Sequence, residues 1–227
     1  MKWLRSKLGL IIISAVRARR GVVEFYADSE RREMLDVVAR VRKERKLLLS
    51  DLEALVIMSC VRSAAKVPGD IAEVGTYQGA SSKLIAEARA ADAGSVHLFD
   101  TFEGLPKIQE IDRSTFKTGQ YGADFEDVSN YLSAYPNIFL YKGLFPETAG
   151  PVRDKKFSFV HLDVDLYEST KLALEFFYPR MSPGGIIVSH DYPTAPGVKE
   201  AVDEFMQGKA EPVLELSARQ CCIVKLC

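Results

Sequence analysis

Hydrophobic and polar positions change period several times along the chain, and the changes mark out its elements. From Glu30 to Lys46 the sequence is heavily charged, with Met34, Val37, Val38 and Val41 on the stripe of an amphipathic helix. Ser50-Asp51-Leu52-Glu53 has the spacing of a capping box, so a second helix should open there and run to about Lys66, where Pro68-Gly69 stops it. Short apolar runs then alternate with helical ones. Strands are predicted from Ile71 to the acidic Glu73, at Ser95–Asp100, Ile138–Gly143, Phe157–Asp163 and Gly185–Ser189. The fourth is almost continuously apolar, as a strand covered on both faces should be. Helices are predicted at Ser81–Ala91, Glu126–Ala134, Lys171–Phe177 and Val198–Gln207, and Pro212–Leu216 with Cys221–Leu226 as a closing hairpin. Such alternation predicts an α/β fold: a mostly parallel, doubly wound sheet with an antiparallel edge at its C-terminus and a helical N-terminal extension. From Thr101 to about Asp124 no period is clear, and a stretch that long between elements predicts a lid over a site.

The joint after the first strand carries the first chemistry. Glu73-Val74-Gly75-Thr76-Tyr77-Gln78-Gly79 has the spacing E-x-G-x-x-x-G and opens the helix that begins near Ser81. Glycine at a strand end permits positive φ and lets a ligand approach the backbone, and the free amides of the helix start face that ligand. The spacing matches neither a phosphate loop nor the G-x-G-x-x-G dinucleotide fingerprint. An acid beside the first glycine suits a ligand that carries a cation, such as the ammonium and sulfonium of S-adenosylmethionine (SAM). Asp100 closes the second strand 25 positions after Gly75, where an acid in nucleotide-binding α/β folds accepts from ribose hydroxyls. Glu73, Gly75, Thr76, Tyr77, Gly79, Ser81, Asp100 and Thr101 are therefore the candidate cofactor residues. His97 reads as a core histidine.

The fourth and fifth strands also end in acids, in His161-Leu162-Asp163-Val164-Asp165 and His190-Asp191. Ligands of open α/β sheets sit outside the carboxyl ends of the strands, so Glu73, Asp100, Asp163, Asp165, His190 and Asp191 should converge on one rim. Grouped carboxylates repel, and a hard divalent cation, most simply Mg²⁺, relieves that. Such an ion can hold two vicinal hydroxyls of a substrate and acidify one, with a nearby carboxylate taking the proton as the oxygen attacks the sulfonium methyl. The alternative for each acid is a helix cap or a bond to strand-end amides.

Composition narrows the setting. The formal net charge of −1 gives no general reason to expect nucleic acid, but its distribution is uneven. Residues 1–50 hold 13 Lys or Arg against 6 Asp or Glu, and the remainder holds 17 against 25. The division expected is a basic helical arm over 1–50 and a catalytic domain over 51–227. In the arm, Leu8–Val16 is too short to span a bilayer, and Arg17, Arg19 and Arg20 stand where a signal peptide would be cleaved. Residues 1–20 either lie on an anionic membrane surface or pack against a partner subunit or the body, the second being favoured. Cys60, Cys221, Cys222 and Cys227 form neither a C-x-x-C pair nor a regular framework, which favours a reducing, cytoplasmic setting and shows no zinc site.

Several runs resemble the macrocin O-methyltransferase type of sugar O-methyltransferase. They are Ile71-Ala72-Glu73-Val74-Gly75, Leu98-Phe99-Asp100-Thr101-Phe102-Glu103-Gly104-Leu105-Pro106, His161-Leu162-Asp163-Val164-Asp165-Leu166-Tyr167-Glu168-Ser169-Thr170 and Pro183-Gly184-Gly185. The likeness covers about Leu48 to the C-terminus. It implies a Rossmann-like class I methyltransferase sheet, SAM, Mg²⁺, a sugar or saccharide hydroxyl as acceptor and a homo-oligomer. By matching position it implies Asp163 and Asp191 as metal ligands, His190 beside them and Asp165 as general base. The family usually carries two adjacent acids at the end of the fifth strand, and here the first is His190, which suits Mn²⁺, Fe²⁺ or Zn²⁺ better than Mg²⁺. The rival readings are a catechol-type O-methyltransferase acting on an aromatic diol, a non-catalytic SAM-binding subunit and, more distantly, a nicotinamide oxidoreductase.

Overall fold

A computed structural model describes residues 29–89, 94–216 and 218–227. The basic arm through residue 28, with both readings of residues 1–20, lies outside the described residues, and the helix expected to reach Ala91 ends at Ala88, where Arg89 turns extended. Helix α1 (Ser29–Glu44) turns Met34, Val38 and Val41 inward. They join one apolar cluster with Ile57 and Met58 of α2 (Asp51–Ala64) and Leu84 and Ile85 of α3 (Ala80–Ala88). Burying such side chains contributes about 1.5–3 kcal/mol each, so this part of the arm is held by the body. Its charged end is held as well: Glu44 accepts from Lys83 Nζ at 2.7 Å and from Tyr131 Oη at 2.8 Å. The capping box of α2 forms, with Ser50 N donating to Glu53 Oε2 at 2.6 Å and Glu53 N to Ser50 Oγ at 3.3 Å.

The sheet holds β1 (Asp70–Val74), β2 (Val96–Asp100), β3 (Ile138–Lys142), β4 (Phe157–Leu162), β5 (Met181–His190), β6 (Leu214–Glu215) and β7 (Gln220–Val224). Their order is β3-β2-β1-β4-β5-β7-β6. Strands β1 to β5 run parallel, and β7 lies antiparallel between β5 and β6. All six residues of β4 are buried, as its apolar run requires. Helices α5 (Tyr167–Phe177) and α6 (Pro196–Met206) cover the face opposite α1–α3, while α4 (Phe125–Leu132) packs beside α3. Adjacent Leu98 and Phe99 enter opposite clusters, the period of two that a strand imposes. Strand order reverses between β1 and β4, which places a crevice at their carboxyl ends.

Two elements are longer than their apolar runs. β5 starts at Met181, which pairs with Phe157 of β4, and β7 holds the Pro-Gly-Gly stretch: Gly184 N donates to Lys225 O at 2.7 Å and Lys225 N to Gly185 O at 2.8 Å. α5 starts at Tyr167 rather than Lys171. The stretch 101–124 is irregular apart from a single 3-10 turn at Glu110–Asp112, yet it is built. Leu105 N bonds Gln120 O at 2.7 Å, Gly119 N bonds Leu105 O at 2.8 Å, and Phe116 is buried. No helix among the described residues is long and apolar enough to cross a membrane.

Candidate active site

At the end of β1 the chain turns through Gly75 at φ 95°, and its amide donates to Phe99 O at 2.9 Å. A Cβ there would sit 1.8 Å from the backbone oxygen of Asp163, so only glycine lets the β1 and β4 turns meet. Asp100, at the end of β2, is clamped by backbone amides on both oxygens. Tyr77 N donates to Oδ2 and Phe102 N to Oδ1, each at 2.7 Å. Both donors sit at positive φ, 48° and 60°, a conformation the surrounding turns must hold. Burial pushes the Asp100 carboxyl above its ordinary range, and the amides of Tyr77 and Phe102 oppose that shift. The result is a fixed acceptor facing the crevice, with no charged partner to compete with a hydroxyl.

Across the crevice β4 and β5 deliver the acid rim. His190 Nδ1 lies 2.9 Å from Asp163 Oδ1 and 3.4 Å from Asp191 Oδ2, while Nε2 lies 3.4 Å from Glu53 Oε1. None of these contacts is aligned with a ring N–H, and neither ring nitrogen has a hydrogen-bond partner among the described residues. Burial opposes a charge on this imidazole, but the charge of Asp163 and contacts with Asp163, Asp191 and Glu53 push its pKa up to about 12. Asp163 is likewise penalised by burial and held below its ordinary range by His190. Asp165, at φ 63°, goes the other way: burial, then the charges of Asp163 and Asp191, push it well above the carboxylate range. Ligand atoms of Asp163, His190 and Asp191 come within 4.8 Å of one another. Two carboxylates and an imidazole fit a divalent ion provided that the ion displaces the proton His190 holds beside Asp163, and the imidazole favours a softer ion than Mg²⁺.

One cavity joins the two halves, lined among others by Gly75, Tyr77, Asp100, Thr101, Asp163, Asp165, His190 and Asp191. The remaining candidates lie outside its wall. Glu73 is fully buried and turned into the protein, accepting from Ser82 Oγ and sitting 2.9 Å from His161 Nδ1. The register explains this. Glu73 pairs with His161, so both side chains leave the sheet on the face that α3 covers. Thr76 and Ser81 are buried, and Gly79 packs near Val128 and Leu132 of α4.

Two contributors carried no signal of function in the sequence. Glu53 shows there only as a cap, yet its second oxygen accepts from the backbone N and the Nε of Arg219, both at 3.1 Å, and faces His190. Burial opposes ionisation of Glu53, but His190 and Ser50 hold its carboxyl below the usual range. Arg219, from the turn before β7, also reaches Asp191 Oδ1 at 3.4 Å and Leu48 O at 3.2 Å. Leu48 and Leu144, 42% and 40% exposed, give the cavity an apolar mouth.

A seven-stranded sheet of this order, with β7 reversed, a glycine turn at the crevice and acids on the neighbouring strand ends, defines the fold of the class I SAM-dependent O-methyltransferases. Residues 49–217 match the macrocin-O-methyltransferase (TylF) family, and the chain belongs to it. Among curated proteins it is 30% identical over 175 residues to 8-demethyl-8-(2,3-dimethoxy-alpha-L-rhamnosyl)-tetracenomycin-C 4'-O-methyltransferase of Streptomyces olivaceus, covering 69% of this chain and 67% of that one. It is 27% identical over 180 residues to mycinamicin III 3''-O-methyltransferase of Micromonospora griseorubida, covering 70% of each. Among solved structures, the O-methyltransferase NovP superposes with a TM-score of 0.75 at 22% identity, over 87% of this chain and 98% of that one. An O-methyltransferase from Bacillus cereus in complex with SAH superposes with a TM-score of 0.58 at 15% identity, over 93% of this chain and 97% of that one.

Proposed function

We propose that the protein transfers a methyl group from SAM to a hydroxyl of a sugar or of a glycosylated small molecule. The observation that carries this reading is the single cavity in which the clamped Asp100 faces the Asp163–Asp165–His190–Asp191 rim. SAM supplies an electrophilic methyl on a sulfonium. A divalent ion held by Asp163, His190 and Asp191 would supply the positive charge that gathers two vicinal hydroxyls and acidifies one.

The residues do the rest. Asp100 accepts from ribose hydroxyls, and Gly75 lets the cofactor lie against the backbone. Asp165 takes the acceptor's proton at its carboxylate. Burial, then the charges of Asp163 and Asp191, raise that carboxyl's proton affinity, and a divalent ion on those two acids would offset their charge and leave Asp165 ionised to accept the proton. Glu53 and Arg219 orient His190 and Asp191 from behind. The relatives named for sugar methylation support a sugar acceptor, and the apolar mouth at Leu48 and Leu144 suits an aglycone or deoxysugar. A homo-oligomer and a cytoplasmic setting belong to the same reading.

The test is methyl transfer from labelled SAM to a panel of deoxysugar glycosides, nucleotide sugars and catechols. Transfer to a sugar hydroxyl supports the reading. Transfer to the catechols alone moves the acceptor to an aromatic diol, and no transfer with SAH bound favours a non-catalytic subunit.

A further inference from the structure

Two helices begin beside the rim without caps of their own. α5 starts after Leu166 and α6 after Ala195, and neither residue supplies the side-chain oxygen that helix starts prefer. A residue of the lid takes that place at α5 and packs against the start of α6. Asp112 Oδ1 accepts from Tyr167 N, the first amide of α5, at 3.2 Å. The same oxygen lies over Gly197 in the first turn of α6, where an added Cβ would come within 1.9 Å of it. Asp112 is only 2% exposed, and its other oxygen has no partner among the described residues. Burial pushes the Asp112 carboxyl above its ordinary range, and the backbone amide of Tyr167 and the helix start oppose that shift.

The seat has further grips. Gln109 Nε2 donates to Glu168 Oε2 at 3.2 Å, and Phe116 is buried in the apolar cluster that α5 and α6 share. Between this seat and the rim lies one tight turn. Leu166 N bonds Val164 O at 2.7 Å, and Asp165 between them is held at positive φ. A left-handed non-glycine residue persists only where its surroundings over-determine it, and the next fixed point along the chain is Tyr167.

We propose that Asp112 is a positioning residue, which fastens the lid to the starts of α5 and α6 and thereby holds the turn that aims Asp165. The proposal rests on Asp165 being the base, and the experiment separates the two. Asp112→Ala removes the cap. Gly197→Ala expels Asp112 while the lid's own sequence stays unchanged, its Cβ also standing 3.1 Å from Tyr167 Cβ, so it corroborates Asp112→Ala rather than replacing it. Asp112→Asn keeps an acceptor oxygen for Tyr167. Amide exchange over 105–122 and 165–168, SAH affinity and methyl-transfer kinetics are measured for each.

In Asp112→Ala and Gly197→Ala both segments should exchange about 10-fold faster or more, because a local closure is lost. SAH affinity should stay within about 3-fold, and kcat should fall about 10-fold for a base left loosely aimed. Asp112→Asn should fall near the wild type in all three. Unchanged exchange at 165–168, or SAH affinity falling in step with kcat, overturns the proposal. If the wild type methylates no sugar, the functional reading fails while the exchange data still decide whether Asp112 holds the turn.

Discussion

The two ends of the parallel sheet each present a buried histidine among acids, and they are built oppositely. At the amino end, His97 is fully partnered, with Nε2 3.0 Å from Asp70 Oδ2 and Nδ1 3.1 Å from Tyr141 Oη. Lys155 Nζ closes the cluster on the same Asp70 oxygen at 2.6 Å. Burial lowers the pKa of His97, and one carboxylate balanced by a lysine leaves it low. At the carboxyl end, His190 stands among three carboxylates in contacts that none of its ring protons points along. Satisfied polar clusters rigidify a fold, whereas buried groups without aligned partners keep unused bonding capacity. Equal burial therefore leaves one histidine fully bonded and the other among acids without an aligned bond.

The comparison breaks first at Asp165. Asp165→Asn, which tolerates the same left-handed backbone, should lower turnover by about 10³-fold while calorimetric SAH affinity stays within about 3-fold. Unchanged turnover would remove the carboxylate as base. Next comes the cofactor half. Asp100→Ala removes an acceptor fixed by two amides and should weaken SAH binding by about 10-fold or more, read by the same titration. A sharper probe is His190→Asp, which turns the rim into an all-oxygen donor set. Metal titration should then show preference moving from Mn²⁺ toward Mg²⁺ by about 10-fold, and no change would place the ion elsewhere.

At the opposite end the expected effect is on stability alone. Asp70→Asn should cost about 1–3 kcal/mol in chemical denaturation and leave kcat within about 2-fold. A loss of activity in the folded variant would mean the two ends are coupled. The smallest effect is expected outside both, at Glu211, which Lys225, then Tyr178, hold down to about 2 from 4.5. A depressed carboxyl stabilises the fold above about pH 4.5 and loses that contribution as pH falls toward about 2. The stability gap between wild type and Glu211→Gln should therefore close across that window in acid titration.

Much of this was legible in the chain. Five parallel strands, the extent of the irregular stretch 101–124 and the acids that close β2 and follow β4 and β5 are read from apolar period and turn residues, which act locally. What was hidden depends on register or on distant neighbours. Glu73 reads as a cofactor ligand until pairing with His161 sends it under α3. Glu53 satisfies a complete local role as a cap, so nothing in the sequence points to a second one at His190. Arg219 sits in a turn of no motif and arrives at the rim only through the antiparallel placement of β7. Asp112 is one acid among many in an aperiodic stretch. α1 is the converse: its stripe was plain, and the structure adds only what it is buried against.

The placement of β7 has a consequence for how the molecule is made. The strand that covers the edge of β5, and the arginine that braces the rim, come from residues 219–224, after every other part of the site. While the chain emerges from the ribosome, β5 therefore presents an unpaired apolar edge until those residues are free. Such edges invite pairing with other chains. A nascent chain stalled before Arg219 would hold most of the cavity wall beside an open edge.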